Sequence, residues 1–240
     1  MRYVASVSYD GSKLYGFQRL NRHKTVQGEL ERVLTKINKT IVYVKGAGRT
    51  DRGVHAEDQK VHFDLDVNIP ESHIAEAMNS MLDKAIHVRE VKRVNDDFHA
   101  RFDVKYKIYE YSITIGEYNP IMNDYTFYYP SSLSIRKMKK ASKYLLGCHS
   151  YEAFTSGERE SYNSILYSIK FKKRKGNISI TFKGKSFYRY MVRNLVGALI
   201  AVGSGKVEAK EMKKMFGSKE QYFPYTTAPA SGLCLKKVEY

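Results

Sequence analysis

Residues 2–13 read Arg2-Tyr3-Val4-Ala5-Ser6-Val7-Ser8-Tyr9-Asp10-Gly11-Ser12-Lys13. Tyr3, Ala5, Val7 and Tyr9 recur at every second position, the spacing that lines one face of a strand, and Asp10-Gly11-Ser12-Lys13 supplies turn chemistry. The period then changes. Val26, Leu30, Val33, Leu34 and Ile37 draw an apolar stripe at helical spacing, with Thr25 standing where an N-cap is wanted. The two periods keep alternating: a short strand at 41–44 running into a glycine loop at 46–53, a strand at 59–65, a helix from Pro70 carrying Ile74, Met78, Met81 and Leu82, and a strand at 86–94. The scheme restarts at 107–115, where Tyr109, Tyr111, Ile113 and Ile115 share a face. It continues with a basic helix capped by Ser134 and running through 146, then a hairpin of 164–174 and 177–182 turning at Lys175-Gly176. Helices at 186–202 and 208–216 and a closing strand at 232–238 complete it. Strands interleaved with helices in both halves predict an α+β or α/β protein. No Pro/Gly/Ser-rich linker separates 1–103 from 104–240, so the halves are expected to pack closely or to share a sheet.

Of the 240 residues 42% are hydrophobic and 28% charged, a globular balance. The apolar run at 195–202 is far short of the ~20 residues that cross a bilayer, and 2–10 lacks the apolar centre of a signal peptide. Two widely spaced cysteines, Cys148 and Cys234, exclude a disulfide scaffold and fit a reducing cytoplasm. The net charge of +16 is unevenly spread. Residues 1–103 hold 17 Lys/Arg against 15 Asp/Glu; residues 104–240 hold 24 against 10. The densest clusters are Arg136-Lys137-Met138-Lys139-Lys140 and Lys170-Phe171-Lys172-Lys173-Arg174-Lys175. A solvated lysine surface is one reading. A polyanion is the other, because each cation that meets a phosphate also releases a counterion. Twenty Tyr and eleven Phe without Trp favour RNA, whose unstacked bases lie on rings.

The glycine loop fails as a dinucleotide fingerprint, because the third glycine position holds Asp51, whose carboxylate would repel a pyrophosphate. Gly184-Lys185-Ser186 imitates the end of a P-loop, yet Ser179 stands where its first glycine belongs. The seven histidines include no pair at metal-binding spacing. Asp51 remains. Thr50-Asp51 can be an ordinary Asx-type turn. Against that, glycines flank it, Arg49 and Arg52 bracket it, and a carboxylate in an RNA-binding groove costs affinity unless it performs chemistry.

At this point the chain resembles the TruA family of transfer-RNA pseudouridine synthases, nearly end to end. The segments that carry the resemblance include Tyr9-Asp10-Gly11-Ser12, Tyr15-Gly16-Phe17-Gln18-Arg19 and Gly46-Ala47-Gly48-Arg49-Thr50-Asp51-Arg52-Gly53-Val54-His55-Ala56. Further on come Asp97-Phe98-His99-Ala100-Arg101-Phe102, Tyr109-Glu110-Tyr111, Met191-Val192-Arg193-Asn194-Leu195-Val196-Gly197 and Thr227-Ala228-Pro229-Ala230-Ser231-Gly232-Leu233. Their joint occurrence, in order, is what makes the match specific.

The resemblance implies an α+β fold of two ferredoxin-like, RRM-like halves joined in a central, mainly antiparallel sheet, with helices packed on it and a cleft between the halves. It implies a homodimer, a tRNA anticodon stem-loop as partner, and no metal, nucleotide or other cofactor. The family's nucleophile falls on Asp51, its base-stacking tyrosine on Tyr109 and its ion-pairing arginine on Arg193. The bland alternatives are a sheet-core role for Tyr109 and a phosphate contact for Arg193. Arg49, Arg52, Lys172, Lys173 and Arg174 are the expected RNA contacts. Attack at C6 of the base and attack at C1′ of the ribose both use an ionised carboxylate, and the sequence does not choose between them. Two departures stand out: Arg52 where the family commonly has alanine, and Phe17 where it commonly has tryptophan. The same chemistry on ribosomal RNA, or an idle RNA-binding protein, are the competing readings.

Overall fold

The computed structural model describes residues 1–216 and 223–240, which fall into two compact units: Met1–Lys105 with Cys234–Tyr240, and Tyr106–Leu233. In the first unit β1 (Arg2–Tyr9) lies between β3 (His55–Asp64) and β4 (Ile86–Arg93), antiparallel to both. Its alternation is used as expected: Tyr3, Ala5, Val7 and Tyr9 are all buried. Helices α1 (Val26–Asn38) and α2 (Glu71–Met81) complete a β-α-β-β-α-β succession, that of a ferredoxin-like half. Thr25 caps α1, its Oγ1 accepting from the Gly28 N–H at 3.2 Å, and Val26, Leu30, Val33 and Leu34 are sealed in the core.

Residues 41–44 form no strand. Their backbone groups are taken by side chains of α1: the Val42 N–H donates to Thr35 Oγ1, the Val44 N–H to Glu31 Oε1, and the Val44 C=O accepts from Gln27 Nε2. Pairing begins only at β2 (Lys45–Gly46), two residues long, which covers the far part of β3. The near part is covered by β10 (Leu233–Glu239), where Cys234 and Leu235 run parallel to His55 and Ala56. The division expected after residue 103 therefore needs an amendment, since 234–240 belong with the first unit.

The second unit has the strand order β5-β9-β8-β7, from β5 (Tyr106–Thr114), β9 (Asn177–Gly184), β8 (Asn163–Arg174) and β7 (Gly147–Ser150). These neighbours are antiparallel, while β6 (Phe127–Tyr128) runs parallel to β5. Lys175 and Gly176 both have positive φ, 44° and 79°, as a two-residue hairpin turn between twisted strands requires. Helix α3 (Ile135–Ser142) is capped by Ser134 as expected, but its last turn tightens into a 3-10 segment at Lys143–Leu145. Helix α4 (Met191–Gly203) starts five residues later than its apolar pattern predicts. Tyr190 is left-handed, with φ 62°, and the residues before it are tied to β8 by the Tyr188 hydroxyl on the Asn163 C=O and the Ser164 hydroxyl on the Ser186 C=O. The expected helix at 208–216 is a 3-10 segment, Ala209–Met215. Among the described residues no helix is long and apolar enough to cross a membrane.

Candidate active site

Asp51 sits at the tip of the loop between β2 and β3, half-buried, on a backbone held from several sides. Its own C=O accepts from the Val54 N–H at 3.1 Å, closing a turn in which Gly53 has φ 83°. Thr50, one residue earlier, is buried; its C=O accepts from the Phe17 N–H at 3.0 Å and its Oγ1 meets the Tyr9 hydroxyl at 2.8 Å. Gln59 Nε2 donates to the Gly48 C=O at 3.0 Å and, at 3.4 Å, to the Tyr9 hydroxyl. Burial pushes the Tyr9 phenol well above its ordinary range, so it stays neutral and serves as both donor and acceptor.

Two glycines make this cradle possible. A Cβ on Gly11 would lie 2.1 Å from the Val54 C=O oxygen, and one on Gly16 would lie 3.0 Å from the Thr50 oxygen at a φ of 84°. Behind the loop, Phe17 is buried with its ring against Gly46, so the phenyl group fills the space under the loop's first residue. His55 Nδ1 accepts from the Gly11 N–H at 3.1 Å and lies 3.3 Å from Asp10 Oδ1, fixing the turn after β1 to the start of β3. Arg49 and Arg52 are both exposed beside Asp51. Their settings differ, because the Arg52 guanidinium lies over the Tyr15 ring, 4.2 Å from its centroid.

Tyr109 and Arg193 belong to the second unit. Tyr109 points to the buried face of β5, 7% exposed, with its ring edge-on to Phe187 at 5.0 Å. Arg193 lies in the first turn of α4, where every other residue except Ile200 is buried. Its Nε–H donates to the Ala228 C=O at 2.7 Å, the Ala228 N–H returns to the Arg193 C=O at 3.2 Å, and Tyr190 lies under the guanidinium at 4.9 Å. The neighbouring pair is joined in the same way, the Thr227 hydroxyl donating to Asn194 Oδ1 at 2.7 Å. Tyr111, on the strand of Tyr109, donates its hydroxyl to the Pro229 C=O at 2.7 Å. Residues 227–229 thus bind the tyrosine strand to the arginine helix. Reading residue types alone misses Thr50, Tyr9 and Gln59 as supports of the Asp51 loop and Ala228 as the support of Arg193; the sequence signal for them is that several sit in the ordered motif segments.

Strand register divides the expected basic cluster. Lys172 and Arg174 stand opposite Ser179 and Asn177, on one face with Lys170 opposite Thr181. Lys173 stands opposite Ile178, on the other face. Lys172, Lys173 and Arg174 are all exposed, so these three consecutive cations are divided between the two faces of the hairpin.

Residues 5–103 and 141–240 match the family model described as tRNA pseudouridine synthase. The chain belongs to the tRNA pseudouridine synthase family. Its relatives include a protein from Pseudothermotoga lettingae, 40% identical over 243 residues that span 100% of this chain and 99% of the relative. One from Listeria monocytogenes is 39% identical over 245 residues, covering 100% and 99%, and one from Streptococcus agalactiae is 38% identical over 249 residues, covering 100% and 95%. Each is named tRNA pseudouridine synthase A. Of the family's two matched stretches, the first contains the whole Asp51 loop and the second contains α4 with residues 227–229. β5 with Tyr109 lies between them.

Proposed function

We propose that this member of the tRNA pseudouridine synthase family converts uridine to pseudouridine in the anticodon stem-loop of tRNA, with Asp51 as the nucleophile. The reaction is an isomerisation. The N1–C1′ bond breaks, a C5–C1′ bond forms, C5 gives up its proton and N1 ends protonated, so no oxidant or second substrate is consumed. Asp51 supplies a carboxylate for a transient adduct, at C6 or C1′. Arg193, its guanidinium fixed by Ala228 and Tyr190, supplies the positive charge that keeps such a carboxylate ionised. Tyr109 supplies the ring on which the detached uracil stays. The target base has to leave its stack, at a cost of a few kcal/mol, and Arg49 is assigned to the space it vacates. Arg52, Lys172, Lys173 and Arg174 meet the RNA outside the reacting nucleotide.

The reading is carried by full-length likeness to enzymes named for tRNA, combined with a carboxylate held at the tip of a loop with a fixed backbone. A ribosomal RNA target has no support among those relatives. The two widely spaced cysteines of the sequence, Cys148 and Cys234, accord with a cytoplasmic enzyme. A homodimer belongs to the same proposal, and the apolar side chains Tyr118, Ile121, Met122 and Tyr125, bared between β5 and β6, are the surface assigned to it. The deciding experiment is Asp51→Asn, which keeps size and removes the nucleophile. Pseudouridine formation in tRNA should vanish while RNA affinity stays within about threefold; a substantially active Asn variant refutes the assignment.

A further inference from the structure

Arg52 is built into a column of planar groups. Its guanidinium carbon is 4.2 Å from the centroid of the Tyr15 ring. His23 stacks on the same ring, with centroids 4.3 Å apart and planes 16° apart. Two groups at that height cannot share one face, so they cover opposite faces of Tyr15. All three residues are exposed, Tyr15 by 40%, and none is needed to fill the core. In the same unit Arg2, Arg19, Arg32 and Arg89 are paired with carboxylates, whereas the Arg52 guanidinium lies over a ring.

The column is also fixed in place. The Tyr15 N–H donates to the Lys24 C=O at 2.8 Å, Leu20 and His23 bridge in antiparallel fashion, and the Phe17 N–H donates to the Thr50 C=O of the Asp51 loop at 3.0 Å. Arg52 follows Asp51 directly, so their Cα atoms are about 3.8 Å apart. An exposed guanidinium seated over a phenol ring has a far side turned to solvent, and arginine planes and aromatic rings are the groups on which unstacked bases lie. The reaction creates such a base. When the target uridine leaves the stack, its neighbour is left with one uncovered face.

We propose that the Arg52–Tyr15–His23 column receives the nucleobase adjacent to the target uridine as its fourth layer. Arg52 touches that base; Tyr15 and His23 are positioning residues that keep the guanidinium flat. This rests on the RNA-modifying reading above and names a substrate contact within it.

The test is a cycle between protein and RNA. An RNA stem-loop modified by the native enzyme is made with an abasic site at either nucleotide flanking the target. Its dissociation constant and single-turnover rate are measured for the native enzyme, Arg52→Ala, Arg52→Lys, Tyr15→Ala and Tyr15→Phe. At one flank the abasic RNA should bind the native enzyme about 5- to 150-fold more weakly, the range set by one base-stacking contact. Arg52→Ala and Tyr15→Ala should bind the intact RNA more weakly by a similar factor and lose nothing further on the abasic RNA. Tyr15→Phe, which keeps the ring, should behave as native, and Arg52→Lys, which keeps the charge but not the plane, should behave as Arg52→Ala. Restored affinity in Arg52→Lys, or losses that multiply on the abasic RNA, overturns the stack and leaves the enzyme's function standing. A native enzyme that forms no pseudouridine overturns the function itself.

Discussion

Tyr9→Phe removes a single oxygen from beneath the Asp51 loop, and its effect can be worked from the contacts. The Tyr9 hydroxyl shares a 2.8 Å hydrogen bond with Thr50 Oγ1 and receives a longer one, 3.4 Å, from Gln59 Nε2. Gln59 Nε2 keeps its bond to the Gly48 C=O, so the damage falls on Thr50, a residue only 7% exposed. Stranding one buried hydroxyl costs about 1–3 kcal/mol. At about 2 kcal/mol, a chain of this size loses roughly 4–8 °C in Tm. Thr50 is the residue before Asp51, and its side chain is what holds the loop to β1. Released, it lets the carboxylate drift, and a displacement near 1 Å slows a positioned reaction up to about 100-fold. Thermal unfolding reads the first effect, and single-turnover pseudouridine formation at saturating RNA reads the second. Thr50→Val should reproduce both, and the double variant should be little worse than either single one. Native melting and a native rate in Tyr9→Phe, or full additivity in the double variant, would refute the cradle as a positioning device.

Tyr109→Phe keeps the ring against Phe187 and should be mildly impaired, whereas Tyr109→Ala should lose most activity; equal losses in a turnover assay point to the hydroxyl instead. Neutralising Lys172 and Arg174, which share a face, should flatten the plot of log affinity against log salt by about 0.7–0.9 for each phosphate no longer neutralised, with a separate effect from Lys173; an unchanged slope removes this hairpin from the RNA path. Burial, then the nearby His99 and Arg2, hold the His62 imidazole down to about 4, and its Nδ1 accepts from the Ala100 N–H at 3.1 Å. The unfolded chain takes up that proton near pH 6.5, so the contribution of neutral His62 is complete above pH 6.5 and is lost as pH falls towards 4. The loss is up to about 3 kcal/mol. Denaturant midpoints between pH 7.5 and 4.5 check this, and His62→Asn should show a shallower decline.

Local chemistry made much of the fold legible. Thr25 and Ser134 cap the helices they precede, and the period-two faces of 2–9 and 107–115 are buried faces of β1 and β5. Periodicity misleads where side chains compete for backbone groups. Val42 and Val44 alternate like a strand, but Thr35, Glu31 and Gln27 satisfy their backbone first. The apolar pattern of α4 extends back past Tyr190, yet the chain there turns left-handed and bonds to β8. Asp51 stood out because a carboxylate between glycines and arginines has few structural uses. Its supports did not, since a buried Tyr9 on a strand reads as core until the hydroxyl's partner is seen. Lys173 differs from Lys172 and Arg174 only through register, which neighbouring strands decide.

The parallel pairing of Cys234 and Leu235 with His55 and Ala56 bears on how the chain is made. Some 128 residues, Tyr106–Leu233, are synthesised between Lys105, where the first stretch of this unit ends, and Cys234, where the late strand takes up its pairing, roughly 6–25 s at ordinary elongation speeds. During that interval the nascent first unit carries an unclosed sheet margin. β2 already shields its far stretch at His62 and Val61, so only a few residues await their neighbour, too few to recruit stray strands readily.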